Sequence, residues 1–145
     1  MRLILTLAAL LAAGTASAER LTLERLYADP ALSGPGVRSL KVSPDGARVT
    51  FLRARPDDQY QMDLWEYNMK DKTTRRLVDS KALVPVENLS DAEKALRERA
   101  RTAALKGIIS YNWSPDGKQL LVPLAGNLYL VDLSKPDNAR LVASG

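Results

Sequence analysis

The side chains best suited to chemistry come in two matched pairs, Ser43 with Asp45 and Ser114 with Asp116. A serine near a carboxylate suggests nucleophilic catalysis, and paired carboxylates suggest acid–base work. Both need more than this chain supplies. Its 145 residues include no His and no Cys, which excludes a Ser-His-Asp triad, His-ligated zinc and a thiolate metal site contained within it. The pairs also stand in identical wording, Ser43-Pro44-Asp45-Gly46 and Ser114-Pro115-Asp116-Gly117, 71 residues apart. Pro presets φ for the second position of a type I turn, Asp suits the third, and Gly takes the positive φ that lets a hairpin resume its ladder. The four residues are therefore expected to shape two β-hairpin tips, and each Ser and Asp has the same local task in its turn.

The remaining candidates are cationic or aromatic. Arg97, Arg99 and Arg101 crowd one short stretch, where Glu93 and Glu98 stand at salt-bridging spacings from Arg97 and Arg101. That pattern predicts a solvated, charge-laced helix face. The net charge of +4 is modest, both signs are interspersed and aromatics are few, so no nucleic-acid footprint is expected. Trp65 and Trp113 are expected to pack between strands and not to serve as substrate platforms.

The elements that position these residues follow from pattern. Before the first turn, Leu40 and Val42 alternate with polar residues, which predicts a half-buried strand. After it come Arg48 to Arg53, Leu64 to Met69 and Thr74 to Val78. The second turn is framed in the same way. Ile109, Tyr111 and Trp113 precede it, and Gln119 to Leu124, Leu128 to Leu133 and Ala139 to Val142 follow. A repeated unit implies repeated architecture. The chain is thus expected to be all-β, carrying two four-stranded antiparallel blades of a β-propeller over about 40–78 and 111–142. Pro123 should sit at a bulge or where its missing N–H does no harm.

Between the blades, Ser90-Asp91-Ala92-Glu93 reads as a capping box. Ala92, Leu96, Ala100 and Ala103 then share one side, and Gly107 is a natural stop. A lightly docked helix is expected over about 89–106. Leu21 to Leu26 is expected to hold a short helical turn ended before Pro30.

Residues 1–18 combine a positive start at Arg2, an apolar run from Leu3 to Ala13 and small residues Ala16-Ser17-Ala18. This predicts a secretory signal cleaved after Ala18, with export to the periplasm in a Gram-negative source. The run is too short for the roughly 20 residues of a membrane span, so no stable anchor is expected. Two blades cannot close a ring, so residues 19–145 are expected to be the amino-terminal portion of a longer propeller.

More specific wording lies around the repeats: Leu21-Thr-Leu-Glu-Arg-Leu-Tyr27, Leu83-Val-Pro85, Leu89-Ser-Asp-Ala-Glu-Lys94, and Gly107 through Gly117. Together these resemble the amino-terminal part of bacterial dipeptidyl peptidase IV, in the prolyl oligopeptidase group of serine peptidases. The resemblance spans nearly all of the chain after residue 18. It implies an eight-bladed propeller followed by an α/β-hydrolase domain, a homodimer, and release of dipeptides from free amino termini when Pro or Ala is second. Neither the Gly-x-Ser-x-Gly elbow nor the adjacent Glu pair that holds the substrate ammonium occurs in this chain. No catalytic residue, metal or cofactor site is therefore assigned, and the chain alone should be inactive. The family also places an Arg ahead of the second blade, bonding the carbonyl of the substrate's second residue. Arg101, twelve positions before Trp113, matches that place, with Arg97 and Arg99 as rivals. The competing expectation is a non-enzymatic periplasmic propeller acting as a protein-binding scaffold, which rests on the Ser-Pro-Asp-Gly repeats alone.

Overall fold

A computed structural model describes residues 20–28, 31–136 and 139–144. The signal segment expected over 1–18 lies outside these residues. The chain divides into two units, residues 1–31 and 32–145. Within the first, Thr22 caps a single helical turn, α1 (Leu23–Tyr27), its hydroxyl accepting from the Arg25 amide at 3.2 Å.

The second unit holds two antiparallel sheets. The first is built from β1 (Val37–Val42), β2 (Arg48–Ala54), β3 (Gln61–Asn68) and β4 (Thr73–Val78), in that order. A two-residue strand, β5 (Lys106–Gly107), pairs in parallel with the start of β3, beyond the point where β4 ends. The second sheet runs β6 (Asn112–Trp113), β7 (Gln119–Leu124), β8 (Asn127–Asp132) and β9 (Arg140–Ser144). The all-β expectation holds, with short helices α2 (Ser80–Leu83) and α3 (Asp91–Arg99) between the sheets in sequence.

The two Ser-Pro-Asp-Gly turns share one set of bonds. Each Gly amide donates to its Ser carbonyl, at 2.9 Å for Gly46 and 3.0 Å for Gly117. Both glycines take positive φ, 70° and 69°. The Ser43 hydroxyl donates to Asp45 at 2.5 Å and accepts from the Arg48 amide, and Ser114 repeats this with Asp116 at 2.6 Å and Gln119. These hydroxyls, then the Ala47 and Lys118 amides, hold both carboxyls below the ordinary Asp value. Elsewhere Ala125 and Gly126, both at positive φ, join β7 to β8 by the two-residue turn that suits strand twist. Pro123 lies past the last pairing residue of β6, so its missing N–H breaks no bond on that side.

The core lies between the sheets. Leu52, Met62 and Leu64 from the first meet Leu120, Val122 and Val131 from the second, each at most 2% exposed. Burying a side chain of this size contributes roughly 1.5–3 kcal/mol. Polar stitches fix the sheet-to-sheet alignment. Trp113 Nε1 donates to Thr50 Oγ1 at 3.1 Å, the Tyr111 hydroxyl to the Ser39 carbonyl at 2.7 Å, and Lys41 Nζ to Asn112 at 2.8 Å.

Two expectations fail. β1 is not half-buried: Val37, Leu40 and Val42 are more than half exposed, because β1 is an edge strand with a neighbour on one side alone. The helix expected over 89–106 covers only nine residues and stops well before Gly107. Gly107 belongs to β5 instead. Its φ is +73°, and an added Cβ would meet the Met62 carbonyl and, at 2.7 Å, both Gln61 Nε2 and Ser80 Oγ, so only glycine fits against β3.

Candidate functional site

The arginine stretch sits on α3 and its exit. Ser90 caps the helix, its hydroxyl accepting from the Glu93 amide at 3.2 Å. The Glu93 carboxylate does not complete the capping box. It turns along the helix to Arg97, 3.0 Å away and one turn on. Arg97 is 2% exposed and also binds Glu87 at 3.2 Å and the Leu105 carbonyl at 2.9 Å. The other oxygen of Glu87 accepts from the Gly107 amide. One guanidinium thus ties together the loop before α3, the helix itself and the segment leading into β5.

This arrangement overturns the expected helix orientation. Ala92, Leu96 and Ala100 are exposed, Leu96 at 58%, whereas Arg97 faces inward. The apolar face was built of small residues and offered little area to bury. Two carboxylates and a carbonyl around one planar fork outweigh it, since charge-assisted bonds to a buried guanidinium are strong.

The helix ends in a Schellman arrangement. The Arg101 amide donates to the Glu98 carbonyl at 2.9 Å and the Thr102 amide to the Arg97 carbonyl at 2.8 Å. Arg101 therefore occupies the left-handed position usually given to glycine, with φ 55°. The pairing anticipated between Glu98 and Arg101 does not form, whereas that between Glu93 and Arg97 does. The three candidate arginines have three different fates. Arg97 is buried, with both terminal nitrogens of its guanidinium bonded and its Nε without a partner. Arg99 is exposed and its Nε donates to the Ala95 carbonyl at 3.3 Å. Arg101 is exposed, and among the described residues its guanidinium has no partner.

Sequence reasoning missed the second charged centre. Asp63, fully buried on β3, accepts from the Ser80 amide at 2.9 Å and its hydroxyl at 2.7 Å, and pairs with Arg55 and Arg76. Asp79 joins the same two arginines and caps α2 through the Ala82 amide. Burial pushes the Asp79 carboxyl up, but the Ala82 amide and the two guanidiniums outweigh it and hold it below its ordinary value. Gln61 closes the network by donating to Ser80 Oγ at 2.7 Å. The groups of this cluster bond largely to one another, and it anchors the β4–α2 junction.

The tryptophans lie on opposite faces of the first sheet. Trp113 is half-buried between the sheets, and Trp65 lies on the far side with the Arg53 guanidinium 3.8 Å from its ring centre. Ser43, Asp45, Ser114 and Asp116 stay in their turns. These turns, with Arg48 and Asp132, line a groove of about 550 Å³. Among the described residues no cluster of His, Cys, Asp and Glu could hold a metal ion, and no helix is long and apolar enough to cross a membrane. No protein-family model matches the chain.

Proposed function

We propose that this chain is the amino-terminal propeller portion of an exported serine-type dipeptidyl peptidase, and that Arg101 holds the carbonyl of the substrate's second residue. The observation that carries the reading is the fate of Arg101. Of the three candidate arginines it alone keeps its guanidinium without a partner among the described residues, on a helix end fixed by the bonds of Arg97. Arg101 shares left-handed φ with Ser39, Lys72 and Ala125, so its backbone sets the position of the side chain without marking it out. A planar fork with permanent charge suits a peptide carbonyl.

Further support comes from the sheets. β2 turns Thr50 and Leu52 toward the second sheet, whereas β7 turns Leu120 and Val122 toward the first. By the 71-residue offset, Leu120 and Val122 correspond to Val49 and Phe51, on the opposite face of β2. Successive sheets therefore meet through unlike faces, front to back, as the blades of a propeller do.

The test uses the complete polypeptide with its continuation. It should release dipeptides from Xaa-Pro substrates with a free amino terminus and not from blocked ones. Arg101→Ala should lower kcat/KM about tenfold or more by loss of a charge-assisted bond, whereas Arg99→Ala should leave it unchanged. Absence of dipeptide release from a folded complete polypeptide would favour the scaffold reading instead. Equal kinetics for wild type and Arg101→Ala would remove Arg101 from the substrate site.

A further inference from the structure

We propose that Glu87 is the positioning residue of the substrate site, setting where Arg101 stands by holding the end of α3 to β5. This role depends on the one proposed for Arg101 and names the residue through which the fold controls it. The chain of bonds begins at the sheet. The amides of Lys106 and Ile108 donate to the Tyr60 and Met62 carbonyls, at 2.8 and 3.0 Å. Gly107, between them, turns its amide away from β3. It is buried, and a buried amide needs an acceptor. One carboxylate oxygen of Glu87 supplies it, and the other accepts from Arg97 Nη2 at 3.2 Å.

From Arg97 the bonds run round Arg101. Arg97 Nη1 donates to the Leu105 carbonyl at 2.9 Å. The carbonyl of Arg97 accepts from the Thr102 amide at 2.8 Å and from the Thr102 hydroxyl at 3.2 Å. The Leu105 amide returns to the Thr102 carbonyl at 2.9 Å. Residues 97–105 thus close on themselves, with Arg101 in the middle of the closed stretch at φ 55°. Glu87 pins this stretch to the strand that follows it. Its own loop is fixed at both ends, since Leu83 and Val84 pack against the core and Ser90 caps α3. Glu93 also binds Arg97, but it lies on α3 and moves with the helix, so it cannot set the helix against the sheet. A carboxylate suits the post because both partners are donors and it offers two acceptor oxygens. Glutamine would turn an NH₂ toward either the Gly107 amide or the Arg97 guanidinium and lose one of the two bonds.

The test is a double-mutant cycle on kcat/KM for dipeptide release from Xaa-Pro substrates by the complete polypeptide, with circular dichroism to check folding. Arg101→Ala should lower kcat/KM about tenfold or more, and Glu87→Gln should lower it severalfold. Adding Glu87→Gln to Arg101→Ala should lower it no further, because nothing is left to position. A Glu87 that only stabilised the fold would cost the same factor in both backgrounds. Where Glu87→Gln does not fold, Glu87→Asp replaces it: it keeps the charge but is one methylene too short to hold Arg97 and Gly107 together, and the same pattern is expected. Wild-type kcat/KM in Glu87→Gln, or equal losses in the two backgrounds, would overturn the positioning role while a loss in Arg101→Ala leaves Arg101 in the site. Failure of both Glu87 variants to fold would overturn it as well, making Glu87 a residue of folding. Wild-type kcat/KM in Arg101→Ala, or no dipeptide release by the wild type, would remove the role of Arg101 and that of Glu87 with it.

Discussion

Arg97 and Arg101 are four residues apart, yet their environments could hardly differ more. Arg97 is buried between two carboxylates, and removing it leaves Glu87 and Glu93 facing each other at 14% and 21% exposure. Arg97→Met should cost about 3 kcal/mol or more, because breaking a buried pair strands the remaining charges. A denaturant midpoint unchanged in Arg97→Met would show that the clamp contributes nothing. Arg101 predicts the reverse. Glycine relieves the strain of φ 55°, so Arg101→Gly should raise stability by about 0.5–1 kcal/mol, read from the same midpoint. At this scale the sequence was half legible. The spacing of Glu93 and Arg97 announced their pair. The inward turn of Arg97 depends on Glu87, Leu105 and Gly107, which lie outside the helix, and no helical periodicity reports them.

The hairpin turns were the most legible elements, since Pro, Asp and Gly each impose local geometry that tertiary context has no reason to override. Their carboxyls carry a pH signature. Asp45 and Asp116 have folded-state pKa values below the ordinary one, as does Asp79. A depressed value means stability that is fully present above the unfolded pKa, about 3.9, and lost as pH falls through the folded value. The melting temperature should therefore fall on acidification below about pH 4. In Asp45→Asn with Asp116→Asn that acid limb should be shallower, and an identical pH profile would show the turns do not sense the proton. Glycine separates the two turns: Gly117→Ala should destabilise more than Gly46→Ala, because only Gly117 has Pro44 against it. The strands on either side were readable from apolar runs and alternation. β1 and α3 were not, for a shared reason. Their apolar residues follow the pattern of a buried face, but pattern does not say whether a neighbour is there to cover it.

At the scale of the whole molecule, the repeat places two antiparallel sheets in succession, the first carrying β5 as a fifth strand, and they meet front to back. α3 and its exit occupy the excess sequence between the sheets, and they end in Arg101. On the proposed reading, the stacked sheets and the bonds of Arg97 stabilise, and Arg101, at left-handed φ on the helix end, binds. The role proposed for Arg101 is to hold the substrate. It is tested most directly by kcat/KM for dipeptide release by the complete polypeptide carrying Arg101→Gly. A fall of about tenfold or more is expected in a protein at least as stable as wild type. A kcat/KM equal to that of wild type in the same stable variant would contradict it.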